Sequence, residues 1–523
     1  MSTASTRKRP RKRRATVVHK PRGAFHPRVQ KVGPEHFGII SFDCAKARSK
    51  WMLADFFGKV LVPPTFVEHN AKALDDAIRQ IRQTIERHEL KDCLVAIERT
   101  GRYHRVVQRA FVAATFDVRI VHPFATKQFR QASDPGNKTD DTDLVAIHRA
   151  SVNGFALTDV ELDEFWSAFQ LQTRFRRDWV GKTSLLSCQI REHLEAAFPG
   201  LAACFGNLWD SACAWHVVRN FATPEEVLAA GVPGLRRSLQ DAEIRYQTPT
   251  LQRIVAWAEH AAPPDVAAAQ RRRNVLMLLD DRERKTQQIQ AIERDIAQRL
   301  VQTPYVLLLS FPGINVVSAA EFAGEMGPMS NYANARTITG RAGLRPSRYQ
   351  SDRVDHCNGP LVRCCNHKLR AAILGVAENL IKCNHHFNVL ANPWKAAGKD
   401  ARRSRVKVGM RFCRIAFQMV AGRQVFRHPC LQGRHYVLDK LMAFHREHET
   451  DAALLLRDAE AAIGQLPNKA YPEEAKPLHE ELHRIGNGGR RGPQVLGDIL
   501  PIVLTRLGVG AVQCPESGEE PRT

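Results

Sequence analysis

Long apolar runs are missing from this sequence. No stretch reaches the roughly 18 uninterrupted apolar residues that a membrane-spanning helix requires. The first 34 residues contain neither the apolar run of a secretory signal nor a single Asp or Glu. The sequence therefore predicts a cytoplasmic protein without a membrane partner.

Paired cysteine spacings are missing as well. The twelve cysteines are scattered along the chain, which suits reduced thiols in a cytosol rather than a disulfide framework. Cysteines and histidines do gather between residues 356 and 386. That group lacks the CxxC pairs typical of structural zinc, so a zinc site is the weaker interpretation of it.

Positive charge is present in excess. Lys and Arg number 77 against 54 Asp and Glu, which gives a formal net charge of +23. Eleven of these cations lie in residues 1–34, seven of them between Arg7 and Arg14. Because neutralising phosphates releases counterions, the sequence predicts a nucleic acid partner and a basic, disordered arm over residues 1–34. A solvated tail without a function is the alternative.

Residues 35–155 are predicted to form an α/β domain. The apolar patterns indicate three strands, a helix, a strand, a helix, a strand and a final helix. A loop is expected between the last strand and the last helix. The predicted strands cover residues 37–43, 50–55, 60–62, 93–97 and 118–121.

Four acidic residues occupy related places in this pattern. Asp43 ends the first strand, Glu98 follows the fourth, and Asp140 and Asp143 share one face of the last helix. If the first and fourth strands are neighbours and the helix packs across their ends, the four carboxylates form one pocket. Such a pocket suits two Mg²⁺ ions about 4 Å apart that clamp a phosphodiester. The plainer interpretation of the helix is an N-cap at Thr139 or Asp140 with acids favoured by the dipole.

Two long amphipathic helices are predicted within residues 156–300, on either side of an insert. Apolar residues recur every four positions in the first helix, up to Phe198, and a similar stripe runs along the second up to Leu300. These stripes suit a coiled coil, formed either within one chain or between subunits. The insert, residues 201–261, carries no chemistry that the sequence identifies.

The order of strands and acids resembles the ribonuclease-H-like nucleases, which include the Holliday-junction resolvases. Residues 96–104 and 138–143 are also similar to the signature segments of the DEDD insertion-sequence transposases. The family pattern Lys-Thr-Asp-x-x-Asp selects Asp140 and Asp143 and leaves Asp141 as their neighbour.

Residues 301–426 resemble the second module of the same family. Residues 308–315 are similar to a helix-hairpin-helix, in which the turn at Gly313 would bring backbone N–H groups against phosphate. A helix-turn-helix packing corner is the alternative. A Gly-Leu-x-Pro turn and a Gln-Ser pair follow. In these recombinases the serine of that pair becomes linked to DNA through a phosphate, so the resemblance assigns this role to Ser351.

Several cations in the second module are candidates for phosphate contacts. Arginines flank the serine, and a basic helix with an apolar rear face follows. Solvated side chains are the alternative for both groups. Beside Gly313, the candidate nucleic-acid-binding residues are Arg345, Arg348, Arg353, Arg363, Lys399, Arg402 and Arg403.

The predicted fold class is α/β plus α. It comprises a ribonuclease-H-like mixed sheet with helices, a helical or coiled-coil spacer, and a mostly α second domain with a helix-hairpin-helix-like entrance. Residues 427–523 are predicted to be a variable C-terminal extension with helices at 452–463 and 495–507.

The family resemblance implies a DNA transposase or recombinase that cuts and rejoins DNA at an insertion-sequence end and a target. The implied catalytic residues are Asp43, Glu98, Asp140, Asp143 and Ser351, with the four acids as ligands of Mg²⁺, two ions in all. The family also implies a homo-oligomer (a dimer or tetramer), a nucleoid location and a structured bridge RNA as guide. No segment of the chain is identified as reading RNA sequence.

Other functions fit the same residues. A metal-dependent DNA junction nuclease would use the acids and leave Ser351 a bystander. An inactive, transposon-derived nucleic-acid-binding protein is favoured by two departures from the family pattern: Asp352 replaces the glycine after the serine, and Ser41 and Phe42 precede the first acid. Target choice by the protein alone, without a guide RNA, is a further alternative.

Overall fold

The computed structural model describes residues 22–132, 136–159, 161–351, 354–356, 359–398, 400–426 and 436–467. The chain divides after Glu161 into two compact units, each with its own hydrophobic core. The five-part division expected from the sequence is finer than this and stays a prediction. Among the described residues, no helix is long and apolar enough to span a bilayer.

The first unit is built on a six-stranded mixed sheet. Its strands are β1 (Phe37–Cys44), β2 (Arg48–Asp55), β3 (Val60–Glu68), β4 (Asp92–Glu98), β5 (Val118–Val121) and β6 (Ala156–Thr158). Their order in the sheet is β3-β2-β1-β4-β5-β6. The pairs β1–β4 and β4–β5 are parallel, and the other three pairs are antiparallel. This confirms the predicted ribonuclease-H-like mixed sheet, to which β6 is an unpredicted addition.

Five helices cover the two faces of this sheet. They are α1 (His26–Val32), α2 (Ala71–Arg87), α3 (His104–Ala113), α4 (Pro123–Gln131) and α5 (Asp140–Val152). Apolar residues of α2 and α3 form the core on one face, and those of α1, α4 and α5 form the core on the other. We call the second face the acid face, because Asp43 and Glu98 lie on it.

Helix α4 lies where the sequence predicted a loop. Pro123 occupies its first turn, and the ring of His122 accepts a hydrogen bond from the backbone N–H of Phe124. A proline at the first helical position, preceded by a capping side chain, is a helix start signal. The expectation of a loop was wrong because it treated His122-Pro123 only as the end of the preceding strand and not as the start of a helix.

The end of the predicted basic arm is folded onto the acid face. Phe25 and Val29 are buried in its core. Arg28 donates two hydrogen bonds to Asp92, at 2.9 and 2.6 Å, and is ion-paired with Asp117. The expectation of disorder was therefore wrong for residues 22–34, whose apolar and cationic side chains have partners on β4 and β5. Residues 1–21 lie outside the described residues.

The two edge strands of the sheet differ in length. β6 has only three residues, whereas β3 has nine and contains Pro63 and Pro64. Its register against β2 shifts at these prolines, so that Leu53 faces Val62 but Trp51 faces Thr65. Proline has no N–H to donate to a neighbouring strand, and such residues are tolerated at a sheet edge.

The second unit begins with the helices of the predicted spacer. They are α6 (Glu164–Ala197), α7 (Ala212–Asn220), α8 (Pro224–Asp241), α9 (Thr248–Glu259) and α10 (Ala268–Val301). The long helices α6 and α10 pack along each other, and α7, α8 and α9 form a separate core at one end of the pair. Part of the apolar stripe of each long helix is thus buried against the other helix of the same chain.

The remainder of the second unit surrounds a larger core. Its elements are α11 (Val316–Met326), α12 (Ala335–Arg341), β7 (Tyr349–Ser351), β8 (Val354–His356), α13 (His367–Cys383), α14 (His385–Ala396), α15 (Ala401–Ala421), α16 (Tyr436–Glu447) and α17 (Ala452–Gln465). A buried 3-10 helix, Pro304–Ser310, precedes α11. Helices α16 and α17 contribute to this core, so this part of the predicted C-terminal extension belongs to the unit. The helix predicted at 452–463 is α17, and the one at 495–507 lies outside the described residues.

Candidate active site

Asp43 and Glu98 lie side by side because β1 and β4 are parallel neighbours. Phe42 is the register partner of Ile97, and the two acids are the next residues on their strands. Since successive side chains alternate between the faces of a sheet, Asp43 and Glu98 point to the same face. That face is covered by α5, which packs against β1 and β4.

Helix α5 brings the other two predicted acids to this face. Its N-cap is Thr139, whose side chain accepts a hydrogen bond from the backbone N–H of Thr142, while the Thr142 hydroxyl accepts one from the backbone N–H of Thr139. This capping box fixes the first turn, which carries Asp140, Asp141 and Asp143. Acids in a first turn are favoured by the helix dipole. The segment is therefore a capped helix start and also brings its acids to the predicted pocket, so the two interpretations are compatible.

The four carboxyl groups influence one another electrostatically. Burial raises the pKa of Asp43, and the carboxylates of Asp143 and Asp140 raise it further. Burial also raises the pKa of Glu98 to about 7, with further contributions from Asp43 and Asp143. Like charges in a partly desolvated site disfavour ionisation of their neighbours. The structure thus brings the four predicted acids together on one face.

Two cations without a role in the sequence-based prediction form ion pairs with aspartates of α5. Arg130, from α4, is ion-paired with Asp143, and both side chains are largely buried. Lys50, from β2, lies 2.6 Å from a carboxylate oxygen of Asp141. Lys50 could have been found from the predicted β1–β2 hairpin, since its register partner is Asp43. Arg130 was missed because its helix was expected to be a loop.

The donor set fits a hard divalent ion. Carboxylate oxygens are the ligands that Mg²⁺ prefers. Burial, and then the neighbouring carboxylates, raise the pKa of Asp43 and of Glu98, so the ionised form of both groups is disfavoured in this arrangement. Within the described residues, no three His, Cys, Asp or Glu side chains are already grouped as a metal site. Arg130 supplies the positive charge at Asp143 in this arrangement. An ion that binds all four acids therefore competes with Arg130 for Asp143.

The predicted nucleophile, Ser351, is the last residue of β7. It is exposed on a two-stranded hairpin formed with β8. In the same hairpin, the guanidinium of Arg348 donates hydrogen bonds of 2.8 and 2.7 Å to Asp355. Arg345 and Arg363 are exposed at the base of the hairpin, where the backbone N–H of Val362 donates to the carbonyl of Arg345 at 3.1 Å. Arg353 and Asp352 lie outside the described residues.

One further residue, Arg370, holds both ends of the loop that carries Ser351. Its guanidinium donates to the carbonyls of Ala342 and Gly343 before the hairpin, at 2.9 and 3.2 Å. It also donates to the carbonyl of Val362 after the hairpin. The sequence placed Arg370 in a segment similar to the family but gave it no role. Its contacts make it a positioning residue for the serine loop.

Gly313 has a packing role that the sequence did not predict. Its φ of +91° lies in the region that favours glycine, and an added Cβ would lie 3.0 Å from the backbone oxygen of Asn379 on α13. The first helix of the expected helix-hairpin-helix is the buried 3-10 helix before this turn. A phosphate contact at Gly313 stays a prediction. On α15, Arg402 and Arg403 are exposed, while Lys399 lies outside the described residues.

Fold and site together define a ribonuclease-H-like enzyme domain joined to a helical unit. Comparison with known families agrees with this class. Residues 40–199 match a family model for the DEDD transposases of the IS110 type, described as a transposase. Residues 305–392 match the model described as the transposase IS116/IS110/IS902 family. The chain therefore belongs to the IS110 family of DEDD transposases, enzymes that act on DNA. No curated protein matches it.

The matched segments contain all five residues to which the sequence analysis assigned chemistry. The four acids lie in the first segment and Ser351 in the second. The arm, the whole insert and the C-terminal residues lie outside both.

The raised pKa of Glu98 predicts a pH-dependent change in stability. The folded state binds the Glu98 proton more tightly than the unfolded chain does, so the associated stability is present below pH 4.5 and is lost as the pH rises through about 7. In a buffer without divalent ions, Glu98→Gln should raise the free energy of unfolding by about 1–2 kcal/mol at pH 8. This is less than the full shift would give, because water reaches part of the carboxyl.

Urea unfolding of the full chain at pH 8 and pH 4.5 measures this effect. The difference between Glu98→Gln and wild type should be much smaller at pH 4.5. Glu86→Gln, on the exposed side of α2, is the control and should change little at either pH. Equal destabilisation by Glu98→Gln at both pH values would contradict the electrostatic account.

Proposed function

We propose that this transposase cuts and rejoins DNA at an insertion-sequence end and a target through a covalent Ser351–phosphate intermediate. Asp43, Glu98, Asp140 and Asp143 hold Mg²⁺ in this proposal. The observation that supports it most is the convergence of these acids on one face, where burial and the neighbouring carboxylates raise the pKa of Glu98 to about 7. The match of residues 305–392, which include Ser351, to a model of the same family supports the assignment of the nucleophile to this module.

The proposed covalent step exchanges one phosphoester bond for another. The Ser351 hydroxyl loses its proton and forms a bond to phosphorus, while the bond from phosphorus to the adjoining nucleotide oxygen breaks and that oxygen takes up a proton. Rejoining reverses the step with the hydroxyl of a different strand. Because bond energy is conserved in the serine ester, no oxidant or nucleotide cofactor is needed.

Stabilisation of the phosphate charge and positioning of the serine are assigned to groups in both modules. Bound Mg²⁺ would supply Lewis-acid stabilisation of the phosphoryl oxygens and of the departing oxygen. In this proposal the exposed arginines Arg345 and Arg363 neutralise phosphate charge, and Arg348 does so in exchange for its ion pair with Asp355. Arg370 keeps that loop closed. The proposal requires the acids and the serine to act on the same phosphate.

A protein–DNA adduct is the direct test of the serine chemistry. The full chain, incubated with Mg²⁺, the DNA that flanks its gene and RNA transcribed from that DNA, should form a species that migrates slowly on a denaturing gel. Ser351→Ala should abolish it, because alanine has no hydroxyl to form the phosphoester. Asp140→Asn should reduce it at least 100-fold through loss of a metal ligand.

Ser347→Ala is the matched control, since Ser347 is an exposed serine in the same loop. It should leave the adduct intact. Strand cutting that persists in Ser351→Ala without any adduct would identify a junction nuclease instead. Excision and integration that are unchanged in Asp140→Asn would identify a DNA-binding protein without this activity.

The ion pair between Arg130 and Asp143 predicts competition with the metal. Arg130→Gln should tighten Mg²⁺ binding by about tenfold, because the ion no longer displaces a guanidinium. Without divalent ions, the same variant should be less stable than wild type, because Asp143 is left buried without its partner. Calorimetric titration and thermal unfolding measure the two effects.

Arg79→Gln is the control for this pair of measurements, since Arg79 forms an exposed ion pair on α2. It should change neither property. Mg²⁺ binding that is weakened by Arg130→Gln would mean that Arg130 supports the metal site rather than competing for it.

We also infer a homo-oligomer and a structured guide RNA. The RNA rests on the family resemblance. The oligomer has support on α6, where Leu171 and Phe175 are 46% and 50% exposed although they continue the apolar stripe. Phe175 packs edge-on to Trp179, and Lys182 lies 4.0 Å from the centre of that indole. An apolar stripe left exposed on a long helix suits a contact with a second copy.

The double variant Leu171→Glu with Phe175→Glu should dissociate the oligomer, because two carboxylates would be buried in the contact. Light scattering coupled to size-exclusion chromatography measures the mass. Leu228→Glu, a partly exposed leucine on α8, is the control and should leave the mass unchanged. An oligomer that survives the double variant would place the contact elsewhere.

A further inference from the structure

Four side chains form a row across the acid face of the sheet. Glu98 lies on β4 and Asp43 on β1; Lys50 of β2 is the register partner of Asp43, and Phe66 of β3 is the register partner of Lys50. Register partners on neighbouring strands point to the same face. The row therefore leads from the acids to the edge of the sheet. With about 5 Å between strands, Phe66 lies about 10 Å from Asp43.

The end of this row combines an exposed ring with two cations. The side chain of Phe66 is 47% exposed. The guanidinium carbon of Arg48 lies 4.2 Å from the centre of the ring, and the ammonium nitrogen of Lys50 lies 5.1 Å from it. Val67, the next residue on β3, is buried in the core on the opposite face. The ring of Phe66 thus lies outside the hydrophobic cores on the two faces of this sheet.

Lys50 connects this cluster to the acids. Its ammonium lies 2.6 Å from a carboxylate oxygen of Asp141, and its side chain is only 17% exposed. Asp141 is the acid that the family pattern leaves without a role. Here it holds Lys50 between the acids and the ring. A cation in that place favours binding of a second phosphate, next to the phosphate that the proposed function assigns to the acids.

We propose that Phe66, Arg48 and Lys50 form a binding site for an unpaired base of the DNA strand that is being cut. Bases stack on aromatic rings and on arginine guanidinium planes, and neighbouring cations bind the backbone. A paired base keeps its own stacking partners, so the site selects a locally unpaired nucleotide. The position of this nucleotide, next to the reacting phosphate, rests on the proposed function of the acids.

The test compares two DNA probes with the full chain in EDTA, where strand cutting does not occur. One probe is a duplex with a short single-stranded gap that carries 2-aminopurine, and the other is the same duplex fully paired. Wild-type protein should quench the 2-aminopurine. Phe66→Ala should lose the quenching, weaken binding to the gapped probe by about tenfold and leave binding to the paired probe unchanged.

Phe66→Trp and Phe57→Ala serve as controls, and Arg48→Gln tests the contribution of the cation. Phe66→Trp should restore both quenching and affinity, because it restores an aromatic plane. Phe57→Ala should have no effect, since Phe57 is 73% exposed at the turn between β2 and β3, away from the Phe66 end of the hairpin. Arg48→Gln should weaken binding to the gapped probe and reduce its salt dependence by about one counterion.

Several outcomes would overturn the site. Equal loss of affinity for both probes in Phe66→Ala would indicate general backbone binding, and a change of oligomeric mass in that variant would indicate a contact with a second copy. These measurements need neither metal nor Ser351. If wild-type protein forms the serine adduct and Phe66→Ala binds the gapped probe normally, only the base-binding site is refuted. If Phe66→Ala loses binding to the gapped probe and wild-type protein forms no adduct, only the proposed chemistry is refuted.

Discussion

Repulsion between carboxylates is the constraint on which the first unit depends. Asp43 and Glu98 are held side by side on parallel strands, and the first turn of α5 adds further negative charge above them. Partial burial makes this charge more costly, and the pKa of Glu98 rises accordingly. The surrounding structure offsets the cost with cations at Asp143 and Asp141. Added positive charge at Asp43 and Glu98 would favour the ionised form of both groups, which burial and the neighbouring carboxylates disfavour.

The parts of this site that the sequence reveals are those set by periodicity. β5 was predicted to its exact bounds, and β1 and β4 to within one residue, because buried strands are continuous apolar runs closed by charged residues. The places of Asp43 and Glu98 follow from those strand ends. Arg130 could not be predicted in the same way. Its contact with Asp143 depends on how α4 and α5 pack, and no spacing in the chain encodes that packing.

The second unit shows the same limit. Both long helices were predicted from their stripes, but the stripes do not say which positions face the partner helix and which face solvent. The role of Arg370 was hidden for a related reason, since its acceptors are backbone carbonyls and carry no signature in the sequence. Gly313 was predicted as a turn correctly, yet the closeness of α13 is visible only in the fold.

The prolines of β3 have a consequence for how copies of this chain can join. A long outer strand is a template onto which a strand of another molecule can add, extending one sheet into the next. Pro63 and Pro64 have no backbone N–H to donate and lie where the register against β2 shifts, and the strand at the opposite edge, β6, has only three residues. Sheet extension between protomers is thereby suppressed. Aggregation by strand addition at this edge is discouraged for the same reason.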